Sequence, residues 1–225
     1  SPLGLVSAKK ISESILRLDS KVQGKQIRSK QTYIDRLNEV IASLAERGPI
    51  FEYLCESHLL ARPNHAGIAS AFPEPFRSRA AEIFFSAAKK EPGAGWRVDL
   101  ITLISGIKLT RSAPLIRVLA EDASLRVPAV IQLSKEPTET DRPLFLAALS
   151  YSNNSAVSSS IKALEALGPR TEPEELIPLI GVSDMRLSLP LISRLAGKKL
   201  KDRSEAVEWL TNNYPVIARS VGTEN

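Results

Sequence analysis

The sequence of 225 residues predicts an all-α fold. Leu and Ala together contribute 53 residues, whereas aromatic residues make up only 5% of the chain. Apolar residues recur in steps of three and four, which places them on one stripe of an α-helix. No stretch of sequence long enough for a strand alternates between polar and apolar residues with period two, so strands are not expected.

The first 75 residues are predicted to form an N-terminal helical cap. One helix runs roughly from Ser7 to Lys21, and a second starts at Tyr33 and is ended by Gly48-Pro49. A third helix spans Ile50 to Leu60. The apolar residues that define these stripes are Ile11, Ile15, Leu18, Tyr33, Ile34, Leu37, Val40, Ile41, Leu44, Phe51, Leu54, Cys55 and Leu59.

An irregular stretch at residues 61–75 separates this cap from the rest of the chain. It contains three prolines and a glycine, which forbid one long helix, and at most a short helical turn fits between Asn64 and Ala71. We therefore expect a hinge here, with domains at residues 1–75 and 76–225.

From Phe76 onwards the helical signal becomes periodic. Helix-like segments begin near Phe76, Gly95, Ser112, Ser124, Asp141, Ser155, Glu172, Met185, Asp202 and Tyr214. Alternate starts lie 29 to 36 residues apart. A unit of about 30 residues that holds two short helices is typical of an α-solenoid repeat.

Direct self-similarity supports this period. Leu125–Leu133 aligns without a gap with Leu187–Leu195, and Val157–Leu164 supplies a copy between them. We predict that an Asp or Asn before each copy caps its helix; these residues are Asp122, Asn154 and Asp184. We also expect Pro128 and Pro190 to lie close to the first turn of their helices, where proline costs least.

The pattern of apolar run, Asp or Asn turn and Leu/Val-(Arg)-x-x-Ala/Ile-x-x-x-Leu resembles HEAT repeats over roughly residues 76–215. Residues 125–129, Leu-Arg-Val-Pro-Ala, match it best, and residues 76–80, Phe-Arg-Ser-Arg-Ala, echo it. Ser158 and Ser188 stand where the pattern has Arg. The resemblance implies an armadillo-type α-α superhelix of about four to five helix pairs, and a non-catalytic scaffold that binds proteins or joins domains.

The end of the chain carries a narrower resemblance. Residues 209–215, Trp-Leu-Thr-Asn-Asn-Tyr-Pro, follow degenerate HEAT units as they do in large bacterial membrane-bound dehydrogenases of the planctomycete type. In that family the repeats separate a β-propeller from a c-type haem domain. The resemblance implies a spacer and docking module outside the cytoplasm. The haem motif is absent here, so the resemblance assigns no haem ligand.

The net charge of +5 is concentrated at the N-terminus. Residues 1–36 contain eight basic and three acidic residues, and the remaining chain contains 22 of each. This segment is either a binding face for nucleic acid or an acidic partner, or a solvated helix face. The residues of the possible basic binding face are Lys9, Lys10, Arg17, Lys21, Lys25, Arg28 and Lys30.

Few residues could support catalysis. The single cysteine, Cys55, excludes a disulfide framework, a zinc ribbon and a C-x-x-C motif. His58 lies on the same helix face as Cys55 and could activate it, and His58 and His65 could form an acid/base or metal cluster with Glu52, Glu56 or Glu74. The competing interpretation places Cys55 in the core, His58 on a polar helix face and His65 in a turn. We predict no catalytic, metal or cofactor-binding residue.

The sequence leaves the compartment open. The longest uncharged run, Pro143 to Ile161, contains a polar centre that a bilayer core would not accept, so no membrane span is expected. The chain begins with Ser1 rather than Met, as expected of a mature product or an excised piece. The compartment is extracytoplasmic if the dehydrogenase resemblance holds and cytoplasmic otherwise. The predicted function is a scaffold, with a nucleic-acid-binding solenoid as the alternative.

Overall fold

The computed structural model describes residues 47–56, 60–70 and 72–215, without the side chains of residues 47–50, 173 and 174. Every regular element in these ranges is a helix, which confirms the all-α prediction. The α-helices are α1 (Arg47–Glu56), α2 (Ala66–Ser70), α3 (Phe76–Lys90), α4 (Val98–Ile104), α5 (Leu109–Leu119), α6 (Ala123–Leu133), α7 (Arg142–Ala148), α8 (Asn154–Ala166), α9 (Pro173–Gly181), α10 (Met185–Leu195) and α11 (Arg203–Asn213). Two short 3₁₀ helices occupy Pro63–His65 and Glu139–Asp141.

The helix starts agree with the periodic pattern of the sequence. From α3 to α11, each helix begins within three residues of its predicted start. The remaining predicted start, near Tyr214, lies at the end of the described residues.

The chain divides into two compact units, Ser1–Leu125 and Arg126–Asn225, and the division falls inside α6. In the first unit, α3 packs against α1 and α5, and α2 packs against α4. Helices α2 and α4 also contact α3. Alternate helices therefore form two rows that meet along α3.

Aromatic side chains fill the core of the first unit. Phe51 of α1 contacts the rings of Phe72 and Phe76 at centroid distances of 5.1 and 5.2 Å. Phe84 of α3 meets Trp96 edge to face at 6.2 Å, and the indole Nε1 of Trp96 donates to a backbone carbonyl. These ring contacts anchor α3 to the chain before it and to the chain after it.

The irregular stretch before α3 belongs to this core. It contains a 3₁₀ turn and the five-residue α2, which agree with the short helical turn predicted there. His65, Ile68 and Phe72 are buried, and α2 packs against α3 and α4. The stretch expected to be a hinge is thus packed, and its role as a hinge stays a prediction. Helices on both sides of residue 75 lie in one unit, and the domain boundary at that residue stays a prediction.

The start of α1 differs from its prediction. The helix begins at Arg47, so Gly48-Pro49 lies in its first turn, whereas the sequence pattern predicts Ile50 as the first helical residue. A proline in the first turn is tolerated because the early backbone amides of a helix have no internal acceptor.

The second unit repeats the two-row arrangement. Helix α7 packs against α9, α9 against α11, and α8 against α10. Sequential contacts between α7 and α8, between α9 and α10, and between α10 and α11 join the two rows. Each helix from α7 to α10 packs on the next helix or the next but one.

Two of the three predicted helix caps are confirmed. The side chain of Asp122 accepts a hydrogen bond from the amide of Ser124 at 2.8 Å, and that of Asp184 accepts from the amide of Arg186 at 3.2 Å. The prediction for Asn154 is wrong, because the cap of α8 is Asn153, whose Oδ1 accepts from the amide of Ala156 at 3.0 Å.

The positions predicted for Pro128 and Pro190 are also wrong. Each is the sixth residue of its helix, in the second turn rather than close to the first, and Pro114 and Pro178 occupy the same position in α5 and α9. A proline there lacks the amide that would bond to the second residue of the helix. Four helices therefore share the same interrupted backbone hydrogen bond.

A buried arginine fixes the start of α7. The Arg142 guanidinium, 7% exposed, donates to Glu175 at 2.6 Å and to both carboxylate oxygens of Glu139 at 2.8 Å. It also donates to the carbonyl of Gly168 at 3.0 Å. Glu175 is 2% exposed, and its second oxygen accepts from the amide of Arg170 at 2.9 Å.

We call this arrangement the Arg142 cluster, and it consists of Glu139, Arg142, Gly168, Arg170 and Glu175. Its hydrogen bonds shift the pKa values of Glu139 and Arg142. The hydrogen bonds that Arg142 donates to Glu139 lower the pKa of Glu139, and the same bonds raise the pKa of Arg142. Gly168 has a φ of +85°, the left-handed conformation of a helix C-terminus, which turns its carbonyl towards the guanidinium. The cluster thereby ties α7 to the turn between α8 and α9.

The adjacent asparagines at the start of α8 provide a matched test of capping. Asn153→Ala is expected to lower the free energy of unfolding by about 1 kcal/mol, because one first-turn amide loses its acceptor. Asn154→Ala, one residue into the helix, should change it by less than about 0.5 kcal/mol. Urea denaturation of both variants measures the difference, and an equal cost at the two positions would contradict this assignment.

The Arg142 cluster predicts a large effect from a single truncation. Arg142→Ala leaves the Glu175 carboxylate buried without its cation and is expected to cost about 3–5 kcal/mol of unfolding free energy. Arg111→Ala breaks an ion pair whose side chains are about half exposed, and it should cost about 1 kcal/mol or less. Similar costs for the two variants in urea denaturation would refute the structural importance of the cluster.

Candidate interaction surface

Ion pairs between helices recur at intervals close to the repeat length. They join Glu52 to Arg79, Glu82 to Arg111, Glu139 to Arg170, Glu165 to Arg194, and Arg142 to Glu175. The partners lie 27, 29, 31, 29 and 33 residues apart. In four of the five pairs, the acid precedes the arginine. Four of these pairs thus join a helix to the next helix but one, and the pair of Glu139 and Arg170 joins the second 3₁₀ helix to the turn before α9.

In the first unit, two of these pairs follow one row of helices. The Arg79 guanidinium of α3 donates to Glu52 of α1 at 2.5 Å and lies 3.7 Å from Glu56. Glu82, one turn further along α3, accepts two bonds from Arg111 of α5 at 2.6 and 2.7 Å. The pairing raises the pKa of both arginines, so both stay charged.

A groove follows this face of α3. It consists of two neighbouring depressions of about 470 Å³ each, which share Arg79 and Glu82. The first also has Lys108, Thr110 and Arg111 in its wall, and the second continues past Ser86 to Lys90. We call this feature the α3 groove.

The cations of the α3 groove fall into two kinds. Arg79 and Arg111 are paired with carboxylates, and Arg111 also lies 4.9 Å above the ring of Phe85, which orients it. Lys90 and Lys108 are exposed and have no ion-pair partner among the described residues. The first turn of α5, next to Lys108, contains no acidic residue, so the positive end of that helix is not offset by a carboxylate of its own.

The alternative cluster of Cys55, His58, His65 and glutamates forms no metal site among the described residues. Cys55 is buried, its Sγ lies 3.8 Å from the carbonyl of Phe76, and burial raises the pKa of its thiol. Nearby Arg79 opposes that shift. Cys55 therefore has the environment of a core residue rather than that of an activated nucleophile.

The other members of that cluster have different surroundings. His65 is buried beside α2, and His58 lies outside the described residues. Glu74 accepts hydrogen bonds from Arg77 and from both the hydroxyl and the amide of Ser78, which lowers the pKa of its carboxyl and stabilises the start of α3.

The possible basic binding face also lies outside the described residues. This applies to all seven of its members, Lys9, Lys10, Arg17, Lys21, Lys25, Arg28 and Lys30. The sequence patterns described above do not predict the α3 groove. The signal that could have identified it is the Arg-x-x-Glu spacing of Arg79 and Glu82, which places both on one helix face.

Comparisons with protein-family models, with curated proteins and with solved structures found no match for this chain. Among residues 47–56, 60–70 and 72–215, no three His, Cys, Asp or Glu side chains are grouped to hold a metal ion. In that same part of the chain, no helix has the length and apolar content needed to cross a membrane.

The environment of Cys55 predicts slow thiol chemistry. Because its pKa is raised, less thiolate exists at a given pH than in the unfolded chain, and burial restricts access of a reagent. We expect a disulfide reagent at pH 8 to react at least about tenfold more slowly with the folded chain than with the chain in urea. Cys55 is the only thiol, so the absorbance change reports it alone. Equal rates in the two states would show an accessible thiol.

Proposed function

We propose that this chain is a non-catalytic scaffold, built from HEAT-like repeats, that binds a protein partner or joins neighbouring domains. The observation that carries the proposal is the repetition of polar contacts: four ion pairs, whose partners are 27 to 33 residues apart, link alternate helices within the two units. Repeats that contact only their neighbours leave long faces of successive helices available for binding.

The proposed architecture is an armadillo-type α-α superhelix. Its helix pairs are α3 with α4, α5 with α6, α7 with α8, and α9 with α10, and α11 begins a fifth. Two-row packing within each unit supports this assignment, as does the agreement of the helix starts with a period of about 30 residues. Residues 1–75 are the proposed helical cap.

The resemblance of residues 209–215 to the dehydrogenase repeat segment supports a more specific proposal. In this proposal, the chain is a spacer between a β-propeller and a c-type haem domain of a bacterial protein outside the cytoplasm. Trp209 is buried, and its ring meets that of Tyr214 edge to face at a centroid distance of 5.8 Å. Both aromatic residues of the segment therefore pack together at the C-terminal end of α11. A C-x-x-C-H motif downstream in the encoding gene would support the proposal, and its absence would contradict it.

The concentration of positive charge in residues 1–36 favours a second candidate function, nucleic-acid binding through the basic N-terminal residues. Binding of that kind must weaken steeply as salt rises. Failure of the full chain to be retained on a heparin or DNA column at low salt would remove this candidate.

Site-specific cross-linking tests the scaffold proposal. Val98 and Val118 are 44% exposed, and a photoactivatable residue at either position should leave the fold intact. We expect the full chain, expressed in its own cells, to cross-link through at least one position to a discrete protein. That protein, once purified, should bind with a Kd in the micromolar range or tighter.

The two positions serve as each other's controls. Substitution by Arg at a position that cross-links should weaken binding of the purified partner, and substitution at a position that does not should leave the Kd unchanged. Cross-linking to nucleic acid alone, or turnover of a substrate by the purified chain, would overturn the proposal.

A further inference from the structure

The α3 groove has the length of a short extended peptide. Its lining runs along α3 from Ser78 to Lys90, and twelve residue steps of an α-helix correspond to about 18 Å. An extended chain covers this distance in about five or six residues. The groove is therefore long enough to contact several consecutive side chains of a partner.

The charges along the groove are unevenly compensated. Near its centre, Arg79 and Arg111 are held by Glu52 and Glu82. Lys108 in one depression and Lys90 in the other have no ion-pair partner among the residues that the structure describes. The groove thus presents two exposed cations that are separated by a largely neutralised middle.

We propose that the α3 groove docks an extended acidic segment of a protein partner, with one carboxylate at Lys108 and another at Lys90. The proposal rests on the proposed scaffold function and names the surface and the chemistry of its partner. Charge complementarity favours this occupant because the two groove cations without an ion-pair partner in the described part of the chain are lysines. The hydroxyls of Ser86 and Thr110 in the same walls can bond to a peptide backbone.

A nucleic-acid strand fits this arrangement less well than a peptide. A strand carries a charge at every phosphate, about 3.4 Å apart, and would bring several of them past Glu82, with Glu52 and Glu56 beside Arg79. Among the described residues, no aromatic side chain lines the groove to provide a stacking platform. A peptide can place uncharged residues opposite Glu82.

The test compares two double variants with the same change of net charge. Lys90→Glu with Lys108→Glu reverses both groove lysines, and Lys198→Glu with Lys199→Glu reverses two exposed lysines in the turn between α10 and α11. The probe is fluorescein-labelled hexaglutamate, and its fluorescence anisotropy with the full chain at low salt gives the Kd. We expect the groove variant to raise the Kd at least about tenfold and the turn variant to raise it less than about twofold.

Three further arms keep the result interpretable. Lys90→Gln with Lys108→Gln removes the charges without introducing acids and should weaken binding in the same direction, while circular dichroism checks that each variant remains helical. Labelled hexalysine should bind the Glu groove variant more tightly than the turn variant. Lys9→Glu with Lys10→Glu measures the contribution of the basic N-terminal residues.

Several outcomes would overturn the assignment. They are the absence of hexaglutamate binding to the unmodified chain, an equal loss in the groove and turn variants, a loss confined to the Lys9 and Lys10 variant, or a larger loss for a labelled oligothymidine than for hexaglutamate. None of them bears on cross-linking through Val98 and Val118, so failure of the groove assignment is distinguishable from failure of the scaffold proposal.

Discussion

The shortness of the helices is the physical constraint on which the rest of the structure depends. The longest described helix, α3, has 15 residues, and most have between seven and 13. Isolated helices of this length are marginal in water, so each must bury its apolar face against others. Because a chain of short helices meets its nearest neighbours first, alternate helices align in rows. Residues about 30 positions apart in sequence then lie on facing helices, which explains why Glu82 meets Arg111 and Glu165 meets Arg194.

Polar contacts in this framework differ in cost according to burial. The exposed pairs stay largely hydrated, so they select a partner helix while adding little stability. Arg142 and Glu175 are buried, and their desolvation is offset only because the guanidinium donates to two carboxylates and to backbone carbonyls. Gly168 makes one of those carbonyls available, and Gly197 adopts the same left-handed conformation after α10. Turn geometry and the buried charge are therefore coupled in the second unit.

Local signals in the sequence predicted the helices well, because a cap, a turn or an apolar stripe is encoded within a few residues. Asp122 and Asp184 cap as expected for this reason. Asn153 and Asn154 are equivalent by residue type, and only the backbone path decides which of them accepts the amide of Ala156. Local sequence signals could not predict the Arg142 cluster, since Glu175 lies 33 residues from Arg142 and becomes its partner only when α8 and α9 are folded. The same limit applies to the α3 groove, whose walls come from two helices and a turn.

Charge compensation also bears on how such a surface can select a partner. A row of unpaired arginines would attract any polyanion, and its affinity would depend mainly on ionic strength. When carboxylates from the preceding helix of the same row neutralise the arginines, as Glu52 and Glu82 do, the general attraction for polyanions falls. The positions of the remaining lysines then become decisive. An incoming anion that displaced Glu82 from Arg111 would leave one carboxylate without its partner, so a mismatched ligand carries a cost. The ion pairs that join the helices can thus also restrict what the groove accepts.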